Sequence, residues 1–251
     1  MHSLTRRLAF PTLVAMLTAA ACTGDPVDPP TESPSAAPTT SESPSPPQRQ
    51  DFSTELASME AWEDPCVPVD LEPLTAQIGN LESVDLKSSV DDDPVSGVIW
   101  TGHCFAGLRL PTSGNEEIFV VIDANDSNTA AFEHFHDFAS FTAERFSDDE
   151  VDYEAALGSG TSWLSSRITA QEDPTDRSAS RALAVAVLLG DFYTVEILVQ
   201  FSPGEALRAD CEPSAEDDCA LTATELAEFM ATSGYLDDLH ADIEAAVEAG
   251  L

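Results

Sequence analysis

The sequence predicts an α+β domain in which a mostly antiparallel sheet packs against helices and two disulfides hold the chain together. Short runs rich in Val, Ile and Phe alternate with amphipathic segments of helical period. Two of the apolar runs are joined by Gly190-Asp191, and a two-residue loop of this kind is typical of an antiparallel hairpin. Four cysteines lie beyond residue 50, and an even number is typical of disulfides in exported chains.

Residues 1–21 have the composition of a signal peptide. Arg6 and Arg7 form a positive start, an apolar run follows, and three alanines at 19–21 end the segment. The alanines stand directly before Cys22, which resembles the lipobox of bacterial lipoproteins. That resemblance implies lipidation of Cys22, so that the protein would be held by its lipid on the extracytoplasmic face of the cell membrane. An ordinary secretory signal followed by an incidental cysteine is the alternative.

A low-complexity segment follows the candidate lipidation site. Residues 23–50 contain 8 Pro, 5 Ser and 4 Thr, with no aromatic residue. Such a segment has too little apolar surface to offset the entropy lost on ordering. We therefore expect residues 22–50 to be a lipidated cysteine with a disordered tether, and residues 51–251 to form a single extracytoplasmic domain. In the polyproline conformation, at about 3.1 Å per residue, the tether would reach on the order of 90 Å. A Pro-rich recognition ligand is the alternative reading.

The charge balance excludes one class of partner. The chain has 46 acidic and 10 basic residues, and positions 51–251 hold 42 and 7 of them, with Lys87 as the single lysine. Nucleic acids are bound through basic residues, so no nucleic-acid partner is expected. Anionic lipid headgroups are repelled as well, which leaves the lipid on Cys22 as the expected contact with the membrane. No apolar run reaches the roughly 18 residues of a spanning helix.

The first half of the domain shows helix caps and apolar strands. Asp70 is placed to cap a helix over 71–78 that Gly79 ends. The run from Ile118 to Ile122 is continuously apolar and predicts a strand buried on both faces. Asp126, Ser127 and Asn128 offer caps to a helix over 129–146. The expected elements of this half are helices over 53–61, 71–78 and 129–146, and strands over 83–89, 96–110 and 117–123.

The second half is dominated by the hairpin and two final helices. The expected strands are 162–168, 181–189 and 192–201; Thr222-Ala-Thr-Glu225 reads as a capping box that opens a helix, and a last helix covers 236–249. In the hairpin, small alanines at 182, 184 and 186 share one face with the alternate large residues Tyr193, Val195, Ile197, Val199 and Phe201. Because alanines leave room, we expect the phenylalanine stripe of helix 129–146 (Phe132, Phe135, Phe138 and Phe146) to pack on that face.

The four cysteines of the domain permit three pairings. Cys211 and Cys219 are eight positions apart and most simply close a small loop, which leaves Cys66 to pair with Cys104. A zinc site is the competing interpretation, but the spacings contain no pair of cysteines separated by two residues.

Several features together resemble a known group of proteins. They are Asp64-Pro65-Cys66 ahead of a short helix, Cys104 in a later strand, Leu157-Gly158 with Trp163 before a strand, and the hairpin turn at Gly190-Asp191. The layout resembles actinobacterial cell-envelope lipoproteins, most of them of unknown function, and the extracellular sensor domain of some mycobacterial serine/threonine kinases. The resemblance covers about residues 60–205. It implies an envelope location and transfers no catalytic residue.

Candidate metal ligands have simpler explanations in the pattern. His134 and His136 lie two apart on a helix and therefore point about 200° apart. Asp123-x-Asn125-x-Ser127 resembles the start of a calcium loop but lacks its glycine and its final glutamate, so helix capping is favoured. The acidic clusters 91–93 and 212–218 are typical of solvated loops, with loose Ca²⁺ binding as the alternative. No catalytic residue, metal ligand or cofactor is assigned.

The sequence favours a non-enzymatic function. No nucleophile elbow and no HExxH motif is present. The leading expectation is a binding or sensing module of the cell envelope, whose partner is an unknown protein or a small or lipid ligand. The alternative is a hydrolase that acts on envelope polymers. An apolar cavity would favour ligand binding, whereas a cleft with converging histidines and carboxylates would favour the hydrolase.

Overall fold

The computed structural model describes residues 51–91, 94, 97–111, 116–145, 151–172, 181–202, 204–211 and 219–250. The predicted signal peptide and tether, and most of the two acidic clusters, lie outside these ranges. The described part has five helices and seven strands, which confirms the α+β class. They are α1 (Ser53–Glu60), α2 (Glu72–Thr75), β1 (Ser83–Val90), β2 (Trp100–Arg109), β3 (Glu116–Ala124), α3 (Asn128–Arg145), β4 (Tyr153–Ala155), β5 (Ser165–Gln171), β6 (Ala182–Leu189), β7 (Tyr193–Phe201), α4 (Ala223–Thr232) and α5 (Tyr235–Ala249).

All seven strands belong to one sheet, in the order β1-β2-β3-β7-β6-β5-β4. Every neighbouring pair is antiparallel. β4 was not predicted, because three residues are too few to show an alternating pattern. The order consists of two runs of sequential neighbours, β1 to β3 and β4 to β7, which meet where β3 pairs with β7.

The main core lies between one face of this sheet and the helices α1, α2, α4 and α5. The alternating residues of β2, β3 and β7 that face these helices are almost completely buried, as are the apolar positions of α4 and α5. A smaller core on the other face joins α3 to β6 and β7. The sheet is thus covered by helices along its whole centre on one side and over only two strands on the other.

The phenylalanine-rich helix α3 packs on the opposite face of the hairpin from the predicted one. Phe135 and Ala131 lie against Val185 and Val187, and not against the alanine face. That alanine face is occupied by α4, whose buried Ala223 and Ala227 belong to the same core. Small residues on both partners let the α4 backbone come close to the strands, whereas the larger phenylalanines of α3 fill the space over the valines.

In the β6–β7 hairpin the strand residues lie on the predicted faces, but the loop consists of different residues from those predicted. The Gly190 N–H donates to the Tyr193 carbonyl at 2.9 Å, so the loop is Asp191-Phe192. Ala184 pairs with Val199 and Leu188 with Val195. A shift of two positions in pairing leaves each side chain on its predicted face, since strands alternate with a period of two. A Cβ at Gly190 would lie 2.6 Å from the Tyr193 ring, so glycine is needed here for close approach.

Strand β3 is buried on one face only, contrary to the prediction. Ile118, Val120 and Ile122 are buried in the main core, whereas Phe119 and Val121 on the other face are only half-buried. The reason is the position of α3, which packs mainly on β6 and β7, so that no helix of the described residues packs over Phe119 and Val121. A continuous apolar run therefore indicates a strand in the centre of the sheet, and it does not show that helices cover both faces of that strand.

Polar side chains accept hydrogen bonds from the first turns of α2, α3 and α4, the three helices for which the sequence predicts them. The Thr222 hydroxyl accepts from the Glu225 N–H, and the Glu225 carboxylate accepts from the Thr222 N–H at 2.9 Å, which completes the capping box. The pKa of Glu225 is lowered: partial burial acts to raise it, but the hydrogen bonds from Thr222 and the Arg208 guanidinium at 3.1 Å outweigh that effect. Ser127 caps α3 by accepting from the Ala130 N–H. Asp70 accepts from the Glu72 N–H at 2.9 Å and begins a helix, α2, that is shorter than expected.

Both predicted disulfides are present. Cys66 pairs with Cys104 and Cys211 with Cys219, with Cα–Cα distances of 5.0 and 5.6 Å. The first bond ties the loop ahead of α2 to the middle of β2, where Cys104 is only 1% exposed. The second joins Cys211 to Cys219, which stands four residues before the start of α4.

Candidate functional site

One side of β1, β2 and β3 forms an open face, on which no helix of the described residues packs beyond the contact of α3 at Asp123. We use this name for the surface carrying Asp85, Lys87, His103, Phe105 and Phe119. In β2 and β3 they alternate with buried positions, and the register sets Lys87 opposite Phe105 and Asp85 opposite Gly107 on the same side, away from α1, α4 and α5. The antiparallel register sets Lys87 opposite Phe105 and Phe105 opposite Phe119, which brings side chains from three strands into one row.

Three rings form the floor of the open face. His103 stacks on Phe119 with ring centroids 5.5 Å apart, and Phe105 meets Phe119 edge-on at 6.5 Å. They line a shallow cavity of about 310 Å³ together with Lys87, Ser88 and Ser89. The buried Nδ1 of His103 has no hydrogen-bond partner among the described residues. The floor therefore offers apolar and aromatic surface with one ring nitrogen left to be satisfied.

A larger cleft continues from this floor toward the ends of β2 and β6. Its volume is about 810 Å³, and it shares Lys87 and Phe105 with the shallow cavity. We call the two cavities together the trough. The cleft is lined by Ser83, Asp85, Lys87, Phe105, Gly107, Leu108, Arg109, Glu116, Glu117 and Arg181.

The trough concentrates the rare cations of the domain. Lys87, Arg109 and Arg181 are three of only seven basic residues in positions 51–251, which also hold 42 acidic ones. The Lys87 Nζ lies 2.8 Å from the Asp85 Oδ2, and the Lys87 side chain is 66% exposed. Arg109 and Arg181 form no ion pair with any residue that the structure describes. In a strongly anionic domain, two unpaired guanidiniums at one cleft are suited to receive an anionic group.

The acidic residues of the trough are partly engaged. Glu117 accepts a hydrogen bond from the Gln200 side chain on the neighbouring strand, and Glu116 is 2% exposed. Three carboxylates and three cations make the trough close to neutral in formal charge. It therefore repels an anion far less than the rest of this domain does.

The two helical histidines do not form a joint site. His134 pairs through Nε2 with Asp123 at 3.0 Å, and the Thr101 hydroxyl donates to the other Asp123 oxygen at 2.6 Å. His136 instead packs edge-on against Phe132, with centroids 4.3 Å apart. Asp123 stands between a threonine and a histidine, whereas a nucleophile would need the histidine in the middle. In the described ranges, no three His, Cys, Asp or Glu side chains cluster in a way that could hold a metal ion.

A second histidine–carboxylate pair lies on α5, beside the buried Tyr193. His240 is 3.9 Å from Glu244, and Glu244 accepts from the Tyr193 hydroxyl at 2.8 Å. Burial, together with the nearby Glu244 carboxylate, raises the pKa of Tyr193 well above its usual value. The Asp123–His134 pair is on the α3 side of the sheet and the His240–Glu244 pair is on the α5 side. The two pairs therefore do not converge on one cleft.

A separate groove of about 390 Å³ lies beside the first disulfide. Its lining includes Trp62 and Pro68, and Val67 at its edge is 63% exposed. The Trp62 ring packs edge-on against Trp100, with centroids 5.5 Å apart, so this groove is bounded by the main core. It carries the carboxylates of Glu63 and Asp64 and no basic residue.

No family model, no curated protein and no solved structure matches this chain significantly. No helix in the described ranges combines the length and the apolarity needed to cross a bilayer. Cys22, the predicted lipidation site, lies outside the described residues.

The trough was not predicted, although one signal for it is visible in the sequence. Its cations come from positions 87, 109 and 181, which only the sheet order brings to one place. The signal is scarcity: each basic residue in so acidic a chain is a candidate for a specific task. The sequence did not indicate which of them meet.

Proposed function

We propose that this chain is a membrane-anchored extracytoplasmic lipoprotein whose domain binds a ligand in the trough without catalysing a reaction. The lipobox-like residues before Cys22 and the Pro-rich segment after it support the anchor. The two disulfides support an oxidising compartment outside the cytoplasm. The resemblance to actinobacterial cell-envelope lipoproteins stays a prediction that agrees with this location.

The observation that carries the binding proposal is that two arginines, which form no ion pair with a described residue, share one trough with an aromatic floor. Arg109 and Arg181 fit an anionic group, and the Phe105 and Phe119 rings fit an apolar or aromatic body. The ligand class is therefore an amphipathic anion, which includes small aromatic acids and lipids with a charged headgroup. The hydrolase alternative stays untested; neither histidine–carboxylate pair of the described residues lines the trough.

Replacement of Cys22 by alanine tests the anchor. We expect Cys22→Ala to abolish incorporation of an alkyne-labelled palmitate analogue and to move the protein from the membrane fraction to the medium or to an unprocessed precursor. The reason is that no basic patch on this acidic chain offers a second membrane contact. Cys211→Ala/Cys219→Ala is the control, because it removes the less stabilising disulfide and leaves the lipobox intact. A wild-type protein that takes up no label would contradict the anchor.

Charge reversal in the trough tests the ligand class. The probe is anilinonaphthalene sulfonate, an aromatic anion whose fluorescence reports binding to apolar surface. We expect Arg109→Glu or Arg181→Glu to weaken its binding at least about tenfold, because a hydrogen-bonded charge contributes on the order of 1.5–3 kcal/mol. Phe119→Ala should weaken it as well by removing the floor. Fluorescence titration at fixed ionic strength gives the dissociation constants.

A matched variant separates local from global charge. Glu60 is exposed on α1, away from the trough, so adding Glu60→Arg to Arg109→Glu restores the net charge without restoring the site. We expect this double variant to bind the probe as weakly as Arg109→Glu alone. If it recovers wild-type affinity, or if all the variants bind equally, the trough is not the binding site.

A further inference from the structure

The outer edge of β1 is an uncovered sheet edge. Among the described strands β1 pairs with β2 alone, at the end of the strand order. All eight of its residues are exposed, including three aliphatic ones: Val84 is 42%, Leu86 53% and Val90 39% exposed. A long edge strand with this much apolar surface is a template for pairing with another strand. The strand contains no proline that would prevent that pairing.

The hydrogen-bond pattern shows which backbone groups face outward. The Asp91 N–H donates to the Thr101 carbonyl at 2.9 Å, in line with the pairing of β1 and β2. Because backbone direction alternates along a strand, the odd-numbered residues of β1 direct N–H and C=O toward β2. The even-numbered residues, Val84, Leu86, Ser88 and Val90, therefore direct theirs away from the sheet.

We propose that the edge of β1 pairs with β1 of a second copy of this chain, antiparallel, about a two-fold axis through Leu86. In this register the outward-facing residues meet as hydrogen-bonded pairs: Leu86 with its own copy, and Val84 with Ser88. That gives about six backbone hydrogen bonds between the copies. On the core-facing side, Leu86 meets Leu86, so the most exposed aliphatic residue of β1 becomes covered.

The charges of β1 select this register. About the axis at Leu86, Asp85 of each copy lies directly opposite Lys87 of the other, in the closely spaced type of pair. An axis at Asp85 or at Lys87 would set two like charges opposite each other, which is destabilising. Lys87 is the single lysine of the chain, and its nearest partner, Asp85, already lies 2.8 Å away on the same face of the strand. Two antiparallel copies of β1 are thus complementary to each other in charge.

The rest of the surface also favours this edge over others for self-association. Two copies with 42 acidic and 7 basic residues in the folded part repel each other at most contacts. Two of those seven basic residues lie at this edge: Lys87 is on β1, and Arg109 is opposite Ser83 on β2. The repulsion is therefore smallest here, and we expect the dimer to be favoured as salt screens the remaining charge.

The dimer goes beyond the proposed function and does not rest on it. Pairing of β1 with β1 would join two seven-stranded sheets into one, with the open faces of both copies on the same side. The troughs would then be continuous across the axis, with the Asp85–Lys87 pairs between them. The two proposals can therefore fail separately. A monomer that binds the ligand would contradict only the dimer, and a dimer that binds no ligand would contradict only the proposed function.

Charge exchange on β1 tests both the surface and the register. The full chain carrying Cys22→Ala is used throughout, so that no acyl chain drives association. Sedimentation equilibrium should show a reversible dimer whose affinity rises with NaCl. We expect Lys87→Glu and Asp85→Lys each to weaken it at least about tenfold, because each places two like-charged pairs across the axis. The double variant Asp85→Lys/Lys87→Glu should regain wild-type affinity.

A mixture gives the strictest readout. Lys87→Glu and Asp85→Lys, each monomeric alone, should form a mixed dimer, because every cross-axis pair is then of opposite charge. Ser88→Pro removes an outward N–H and keeps the bonds to β2, so it should abolish the dimer with unchanged circular dichroism. A wild type that stays monomeric up to about 1 mM overturns the proposal and leaves the edge for an extended segment of another protein. A dimer that is indifferent to Ser88→Pro, or single variants that do not associate when mixed, overturns it as well.

Discussion

Removal of the Cys66–Cys104 disulfide is expected to lower the free energy of unfolding by about 4 kcal/mol. The bond closes a loop over a sequence separation of 38 residues, and that loop contains the whole of β1. In the chain-entropy description, a cross-link of this length strongly restricts the unfolded chain. In the folded chain it fastens the segment ahead of α2 to the buried centre of β2. Urea unfolding of Cys66→Ala/Cys104→Ala, followed by circular dichroism, measures the loss.

The second disulfide is the matched control for this loss. Cys211 and Cys219 are separated by only 8 residues, for which the same description gives about 2.6 kcal/mol. The variant Cys211→Ala/Cys219→Ala should therefore unfold at a clearly higher urea concentration than Cys66→Ala/Cys104→Ala. Equal midpoints for the two variants, with equal slopes, would contradict the role given to loop length and to the attachment of Cys66 to the sheet.

Replacement of Trp163 by alanine is expected to cost about 3–5 kcal/mol of unfolding free energy. The side chain is 6% exposed, and its indole N–H donates to the Leu236 carbonyl at 2.7 Å. The ring also meets Tyr193 and His240 edge-on, with centroids 6.0 and 4.7 Å away. Trp163 thus connects the start of β5 to α5 and β7. Truncation removes a large buried ring and leaves a cavity that the surrounding helix and strand cannot fill.

Two further variants separate the causes of that loss. Trp163→Phe keeps an aromatic ring and removes the hydrogen bond to Leu236, so we expect a smaller cost of about 1–2 kcal/mol. Leu164→Ala changes the neighbouring residue, which is 57% exposed, and should stay within about 0.5 kcal/mol of the wild type. Thermal unfolding of the three variants should give that order. If Leu164→Ala melts as low as Trp163→Ala, burial at position 163 is not the cause.

Local chemistry made several parts of this fold predictable. The capping box at Thr222 and the cap at Ser127 follow from side chains that bond to backbone groups a few residues away. The pairing of Cys211 with Cys219 follows from short separation, and it leaves Cys66 for Cys104. The faces of the β6–β7 hairpin were correct although its loop was misplaced, because an error of two positions conserves the alternation.

What depends on the order of strands was not predictable. Helical periodicity shows which side of α3 is buried, but it does not say on which side of the sheet the helix lies. The prediction placed its phenylalanines on the alanine face, which α4 occupies instead. The wrong prediction that Phe119 is buried has the same cause, since a continuous apolar run does not show on which face of the sheet the helices lie. The trough combines Lys87, Arg109 and Arg181, which no local pattern connects.

The strand order also determines how the chain can reach this structure. Within β1 to β3, and within β4 to β7, each strand pairs with its neighbour in sequence, so these contacts close short loops. The pairing of β3 with β7 instead spans about 70 residues of intervening chain. Closing this long loop costs conformational entropy before the stabilising contacts of the completed sheet have formed. We infer that this junction limits the folding rate, and that the exposed strand β1 affects mainly the rate at which the finished domain comes apart.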